Sequence, residues 1–124
     1  MRTLDASVLI AHLDARDDLH ERAGELLSEA AGDQFAASVI TIAEVLVAPA
    51  RAGRLADAQA ALAQLDVAAL PLRAEAGPRL AELRAATGLK LPDCCVLLSA
   101  EEAGAEVVTL DARLGRAATQ LGLG

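Results

Sequence analysis

Aromatic side chains are almost missing from this chain: Phe35 stands alone, with no Trp and no Tyr among 124 residues. A nucleic-acid platform built on base stacking needs several exposed rings, so that mode of binding is excluded. Positive charge is scarce as well. Eleven Lys and Arg face 18 Asp and Glu, for a formal net charge of −7. A general nucleic-acid coat binds by displacing counterions with many basic groups, and this composition argues against one. A polyanionic ligand would need bound cations, a local Arg cluster or a second subunit. All the basic residues but Lys90 are Arg, the better fork for phosphate.

Other absences narrow the field further. The two cysteines, Cys94 and Cys95, are adjacent, which suits neither a disulfide framework nor the spacing of metal ligands; they read as small core residues in a reducing cytoplasm. No apolar run approaches membrane-spanning length, and Asp5 breaks the first one too early for a signal peptide, so neither a membrane nor export is expected. No Gly-rich loop follows the first apolar run, which removes the dinucleotide and phosphate-loop fingerprints. Asp5-Ala6-Ser7 lacks the second Asp of an aspartyl-phosphate phosphatase. His12 and His20 have no Cys or Ser nucleophile as a clear partner and read as surface or helix-packing residues.

What remains is ample core material, 54% hydrophobic residues, spread without repeats or linkers, and residues 1–124 read as one domain. Short apolar runs alternate with amphipathic segments, the pattern of an α/β domain with a mostly parallel sheet. Strands are expected at 2–4, 35–39, 67–70 and 106–109. Helices are expected at 7–13, 17–31, 41–52, 54–64, 73–87, 93–103 and 112–121, with the third and fourth forming a hairpin. Arg51, Arg54 and Asp57 on that hairpin read as a solvated face.

Against this plan four acids stand where acids are unusual: Asp5, Glu44, Asp93 and Asp111 each interrupt or end an apolar run. Each has a structural reading. Asp5 and Asp111 can cap the helices that follow them, Thr41 and Glu44 have the spacing of a capping box, and Asp93 follows Pro92 at a helix start, where the helix dipole favours negative charge. Their apolar flanks nonetheless direct them toward a partly closed space. Two strand ends and two helix starts can converge at the carboxyl edge of a parallel sheet, where sites assemble in such folds. Like charges about 4 Å apart repel by about 4 kcal/mol at an effective dielectric near 20. A hard divalent cation relieves that repulsion, and Mg²⁺ or Mn²⁺ fits a carboxylate set that leaves positions open for phosphate.

In order along the chain, Leu4-Asp5-Ala6-Ser7-Val8-Leu9, Thr41-Ile42-Ala43-Glu44-Val45-Leu46, Leu91-Pro92-Asp93 and Val107-Val108-Thr109-Leu110-Asp111 resemble the motifs of the PIN-domain ribonucleases, in particular VapC-like toxins of bacterial toxin–antitoxin pairs. The resemblance covers almost the whole chain. It implies a three-layer α/β/α sandwich and a catalytic quartet of Asp5, Glu44, Asp93 and Asp111. Asp5 and Asp93 would be the direct ligands of Mg²⁺ or Mn²⁺, and Glu44 and Asp111 would complete the set through water or a second ion. Ser7 and Thr109 match polar positions that orient the carboxylates. The implied reaction is hydrolysis of an RNA phosphodiester by metal-activated water, in a cytoplasmic homodimer silenced by a cognate antitoxin. Two rival readings are a catalytically weak binding module that docks a partner protein and another metal-dependent phosphodiesterase or phosphatase. Many relatives continue into a last short strand where this sequence ends in Leu121-Gly122-Leu123-Gly124, so a shorter or unmatched sheet edge is expected.

Overall fold

The computed structural model describes residues 1–124. Four short strands, β1 (Arg2–Leu4), β2 (Phe35–Ser38), β3 (Ala68–Leu70) and β4 (Glu106–Val108), form an all-parallel sheet in the order β3-β2-β1-β4. Seven helices connect them: α1 (Ala6–Leu13), α2 (His20–Glu29), α3 (Val39–Arg51), α4 (Leu55–Gln64), α5 (Gly77–Thr87), α6 (Leu91–Ala103) and α7 (Ala112–Gln120). A parallel sheet is stable only when both faces are covered, and two cores do this. Leu4, Val8, Leu9, Ala37, Val45 and Leu62 pack with α1 to α4, while Leu83, Val96, Leu97 and Leu114 gather α5 to α7. Val107 joins the second core and its neighbour Val108 the first, as the alternation of a strand demands. The result is the three-layer α/β/α sandwich.

The strand order sets the position of any site. From β1 the chain moves outward through β2 and β3, then returns to the other side of β1 as β4. The crevice between the carboxyl ends of β1 and β4 is therefore the topological switch point. Leu4 pairs with Val108, so Asp5 and Thr109, each one residue further on, lie side by side.

Several boundaries differ from the sequence expectation. The second helix starts at His20 rather than Asp17, because Asp14 and Asp17 accept the backbone N–H groups of Arg16 and Leu19 in tight turns that compete with helix. The segment expected as one helix from Arg73 is a 3₁₀ turn at Ala74–Ala76 followed by α5, with Pro78 in its first turn. The third helix begins at Val39, capped by Ser38, whose Oγ accepts the N–H of Ile40 at 3.2 Å. The Thr41–Glu44 capping box is thus corrected: Thr41 is fully buried inside α3 with its hydroxyl unpartnered, and Glu44 stands in the second turn. The sheet gains no last strand after α7, which is the shorter edge expected. Leu123 offers its carbonyl to the N–H of Val107 at 2.6 Å, so the last residues lie along β4.

Candidate active site

Asp5 is the deepest of the four acids, 4% exposed. It ends β1 and caps α1, and its side chain is held by two hydroxyls. Ser7 donates to Oδ1 and Thr109 to Oδ2, each at 2.7 Å, with the Val8 N–H adding a longer bond of 3.3 Å to Oδ1. The direction of these bonds is fixed from outside. Ser7 Oγ accepts the N–H of Leu110 at 3.0 Å and Thr109 Oγ1 that of Asp111 at 2.9 Å, so each hydroxyl spends its single proton on Asp5. The loop after β4 thereby orients both carboxylate oxygens. Every bond favours the ionised acid, yet burial outweighs them and raises the Asp5 pKa above its ordinary value, with Asp111 adding a smaller push.

The remaining acids line the mouth of this crevice. Asp111 is exposed and caps α7, its Oδ1 accepting the N–H groups of Arg113 at 2.8 Å and Leu114 at 3.2 Å. Asp93 is half-buried in the first turn of α6, and Glu44 projects from α3 into solvent. Desolvation against the crevice wall raises the pKa of both, and neighbouring carboxylates raise it further: Asp93 and Asp5 act on Glu44, Asp111 and Asp5 on Asp93. All four acids therefore share one electrostatic field. The expectation that several would be enclosed holds fully for Asp5 and partly for Asp93, while Glu44 and Asp111 stand on the rim.

No three acidic, His or Cys groups lie close enough together, as they stand, to enclose one metal ion. The chemistry of the donors still fits a hard cation. They are all carboxylate oxygens, neither Glu44 nor Asp93 has a hydrogen bond to hold it elsewhere, and each raised pKa marks a charge that an added cation would stabilise.

Sequence reasoning passed over three cations near the acids. Lys90 and Arg113 partly offset the rise in the Asp93 pKa, and Arg84 acts on the neighbouring Cys94. Their only sequence signal is proximity to Asp93 and Asp111 for the first two; Arg84 gives none. The cysteines, histidines and the Arg54–Asp57 pair lie as the sequence suggests. Cys94 and Cys95 are buried free thiols, His20 packs beside His12 with Nδ1 2.8 Å from the carbonyl oxygen of Ala11, and Arg54 makes an exposed ion pair with Asp57. A cleft of about 570 Å³ between α1, α3 and α4 reaches Glu44 and is walled by Ile10, Leu13, Val45 and Pro49. No helix is long and apolar enough to cross a membrane.

The family profile described as PIN domain matches residues 3–120. Among solved structures, the chain is similar to a toxin–antitoxin complex from Klebsiella pneumoniae at 27% identity and a TM-score of 0.75, over 90% of this chain and 87% of that one. It superposes on Mycobacterium tuberculosis VapC20, described as a sarcin–ricin loop cleaving toxin, with a TM-score of 0.77 at 17% identity over 94% and 95% of the two chains. It also superposes on VapBC2 from Rickettsia felis, solved bound to a promoter DNA fragment, with a TM-score of 0.67 at 18% identity over 93% and 91%. No curated protein matches by sequence.

Proposed function

The chain belongs to the PIN-domain family, and from that membership we propose that it is a divalent-cation-dependent endoribonuclease, the toxin of a type II toxin–antitoxin pair. The observation that carries this reading is the acidic crevice at the β1–β4 switch point, where Asp5 is oriented by Ser7 and Thr109 and shares its field with Glu44, Asp93 and Asp111. A structural cap has no need of two aligned hydroxyls and three further acids. The likeness to the Klebsiella pneumoniae complex supports the toxin–antitoxin assignment.

Asp5 and Asp93 would hold Mg²⁺ or Mn²⁺, with Glu44 and Asp111 completing the set. When bound, the cation supplies an acidified water and neutralises charge on the phosphoryl oxygens. Ser7 and Thr109 aim Asp5 and favour its ionised form, against the burial that raises its pKa. Asp111 also fixes the start of α7, which ties the rim of the site to the loop after β4. No side chain need act as a nucleophile: Ser7, the one serine hydroxyl bonded to a carboxylate here, also accepts the Leu110 N–H and serves to orient Asp5.

The cognate antitoxin is assigned to the apolar cleft that Glu44 lines, where a docked peptide would reach the edge of the acidic group. A homodimer belongs to the same reading by family resemblance, and the free buried thiols suit a cytoplasmic protein. Cleavage of a mixed RNA pool tests the activity. Wild type should cut with Mg²⁺ or Mn²⁺ and not with EDTA, and Asp5→Asn and Asp93→Asn should not cut. Equal cleavage by all three proteins would overturn the site.

A further inference from the structure

Five of the eleven basic residues are engaged in ion pairs and six are not: Arg16, Arg51, Arg84, Lys90, Arg113 and Arg116. Arg2, Arg22, Arg54, Arg73 and Arg79 are all engaged in ion pairs with carboxylates, away from the crevice. Of the six unpaired residues, Lys90 and Arg113 act on Asp93 and Arg84 acts on Cys94 next to it, so these three stand beside the acidic crevice. They come from three elements and meet at one short connection, residues 88–90, between α5 and α6.

Gly88 ends α5 in the left-handed conformation, φ +70°, and turns the chain so that Leu89 is buried and Lys90 caps α6. Arg84 reaches over this turn and donates from Nη1 to the carbonyl of Leu89 at 2.8 Å. From the other side Arg113 lays its guanidinium on the same turn: a Cβ at Gly88 would sit 3.9 Å from its Nη2. Arg113 follows Asp111 by two residues and Lys90 precedes Asp93 by three, so the basic group forms one wall of the acidic crevice.

Gathered at one turn, the three exposed cations repel one another; Lys90 and Arg113 feel Asp93, but no carboxylate pairs directly with any of the three. We propose that Arg84, Lys90 and Arg113 form a phosphate-binding rim that takes the backbone of a single-stranded RNA next to the phosphodiester held over the acids. The assignment rests on the ribonuclease reading above and extends it from the reacting phosphate to its neighbours. It also resolves how a chain of net charge −7 can retain a polyanion. With Phe35 as the only aromatic, buried stacking cannot supply the affinity, so ion pairs to phosphate must. The planar forks of Arg84 and Arg113 suit paired phosphate oxygens, while Lys90 acts as a point charge.

The test is the salt dependence of binding of a labelled single-stranded RNA to the intact protein, followed by fluorescence anisotropy with Ca²⁺ in place of Mg²⁺. Each phosphate contact in a single strand contributes about 0.7 to the slope of log K against log salt. The Lys90→Gln/Arg113→Gln double variant should lower that slope by about 1.4 and weaken binding at least about tenfold at low salt, with thermal stability unchanged. Arg113→Lys should restore most of the slope to Arg113→Gln, which a purely structural role would not do. Arg84→Gln is read alongside, since loss of its bond to Leu89 can disturb the turn. An unchanged slope in the double variant, with RNA still cleaved by wild type, overturns the rim and leaves the ribonuclease reading intact. Absence of cleavage by wild type overturns that reading, and the slope then still decides whether the rim binds polyanion; no RNA binding by wild type overturns both.

Discussion

Thr109 Oγ1 donates to Asp5 Oδ2 at 2.7 Å across 104 positions of sequence, and it can do so because Leu4 and Val108 are paired in adjacent strands. This bond joins the first and last strands of the sheet at the point where the acids gather. Thr109→Val should remove a hydrogen bond to a buried charge and lower stability by about 1–3 kcal/mol. It should also weaken Mg²⁺ binding, because Asp5 would be harder to ionise. Thr109→Ser, which keeps the hydroxyl, should retain most of both. Chemical denaturation and calorimetric titration of Mg²⁺ measure the two effects.

The acids at the mouth destabilise one another in the metal-free protein. Asp93→Asn and Glu44→Gln should therefore raise Tm without added cation and reduce the further rise that Mg²⁺ gives to wild type. A fall in Tm for both variants, with the Mg²⁺ response retained, would show that these carboxylates serve packing instead of a shared site.

The pH dependence has a definite sign. Asp5, Glu44 and Asp93 all have pKa values raised in the folded protein, chiefly by desolvation. The folded state holds their protons longer than the unfolded state does, so these groups impose no penalty below the unfolded value of about 4. Their penalty grows as pH rises from there through the raised folded values, and then stays constant. Asp33, depressed by its bond to Arg2, acts in the opposite sense. The difference between wild type and the Glu44→Gln/Asp93→Asn variant isolates the crevice. In urea denaturation without metal, wild type should lose stability relative to the variant between pH 4 and 7 (roughly the span above the unfolded pKa), and Mg²⁺ should narrow the gap at the upper end.

The start of α3 gives a test that involves no chemistry. Ser38→Ala removes the observed cap and should cost about 1 kcal/mol. Thr41→Val removes a buried hydroxyl without a partner and should be neutral or stabilising, by up to about 1 kcal/mol. A capping box at Thr41 would give the reverse order.

These residues also show what was legible in the sequence. Asp5 and Asp111 could be placed at strand ends because each breaks an apolar run where a helix pattern begins, and Pro92 marked the start of α6 close to Asp93. The cap of α3 is hidden in the sequence because β-branched Val39 reads as the tail of β2 and moves the expected helix start to Thr41, past Ser38. That start makes Glu44 look like half of a capping box, and the structure removes that explanation for it. The basic rim was illegible for a different reason. Arg84, Lys90 and Arg113 lie on separate elements, and they meet only because a left-handed Gly88 folds the α5–α6 connection against the start of α7.

The central claim is that Asp5, Glu44, Asp93 and Asp111 form a single cation site. Mn²⁺ titrated into isotope-labelled protein broadens the amide signals nearest the bound ion, so an NMR titration locates it directly. Broadening should begin together at residues 5–7, 44, 93 and 109–111 and be lost in Asp93→Asn. Broadening scattered over the other acidic faces, or unchanged in Asp93→Asn, would contradict the claim.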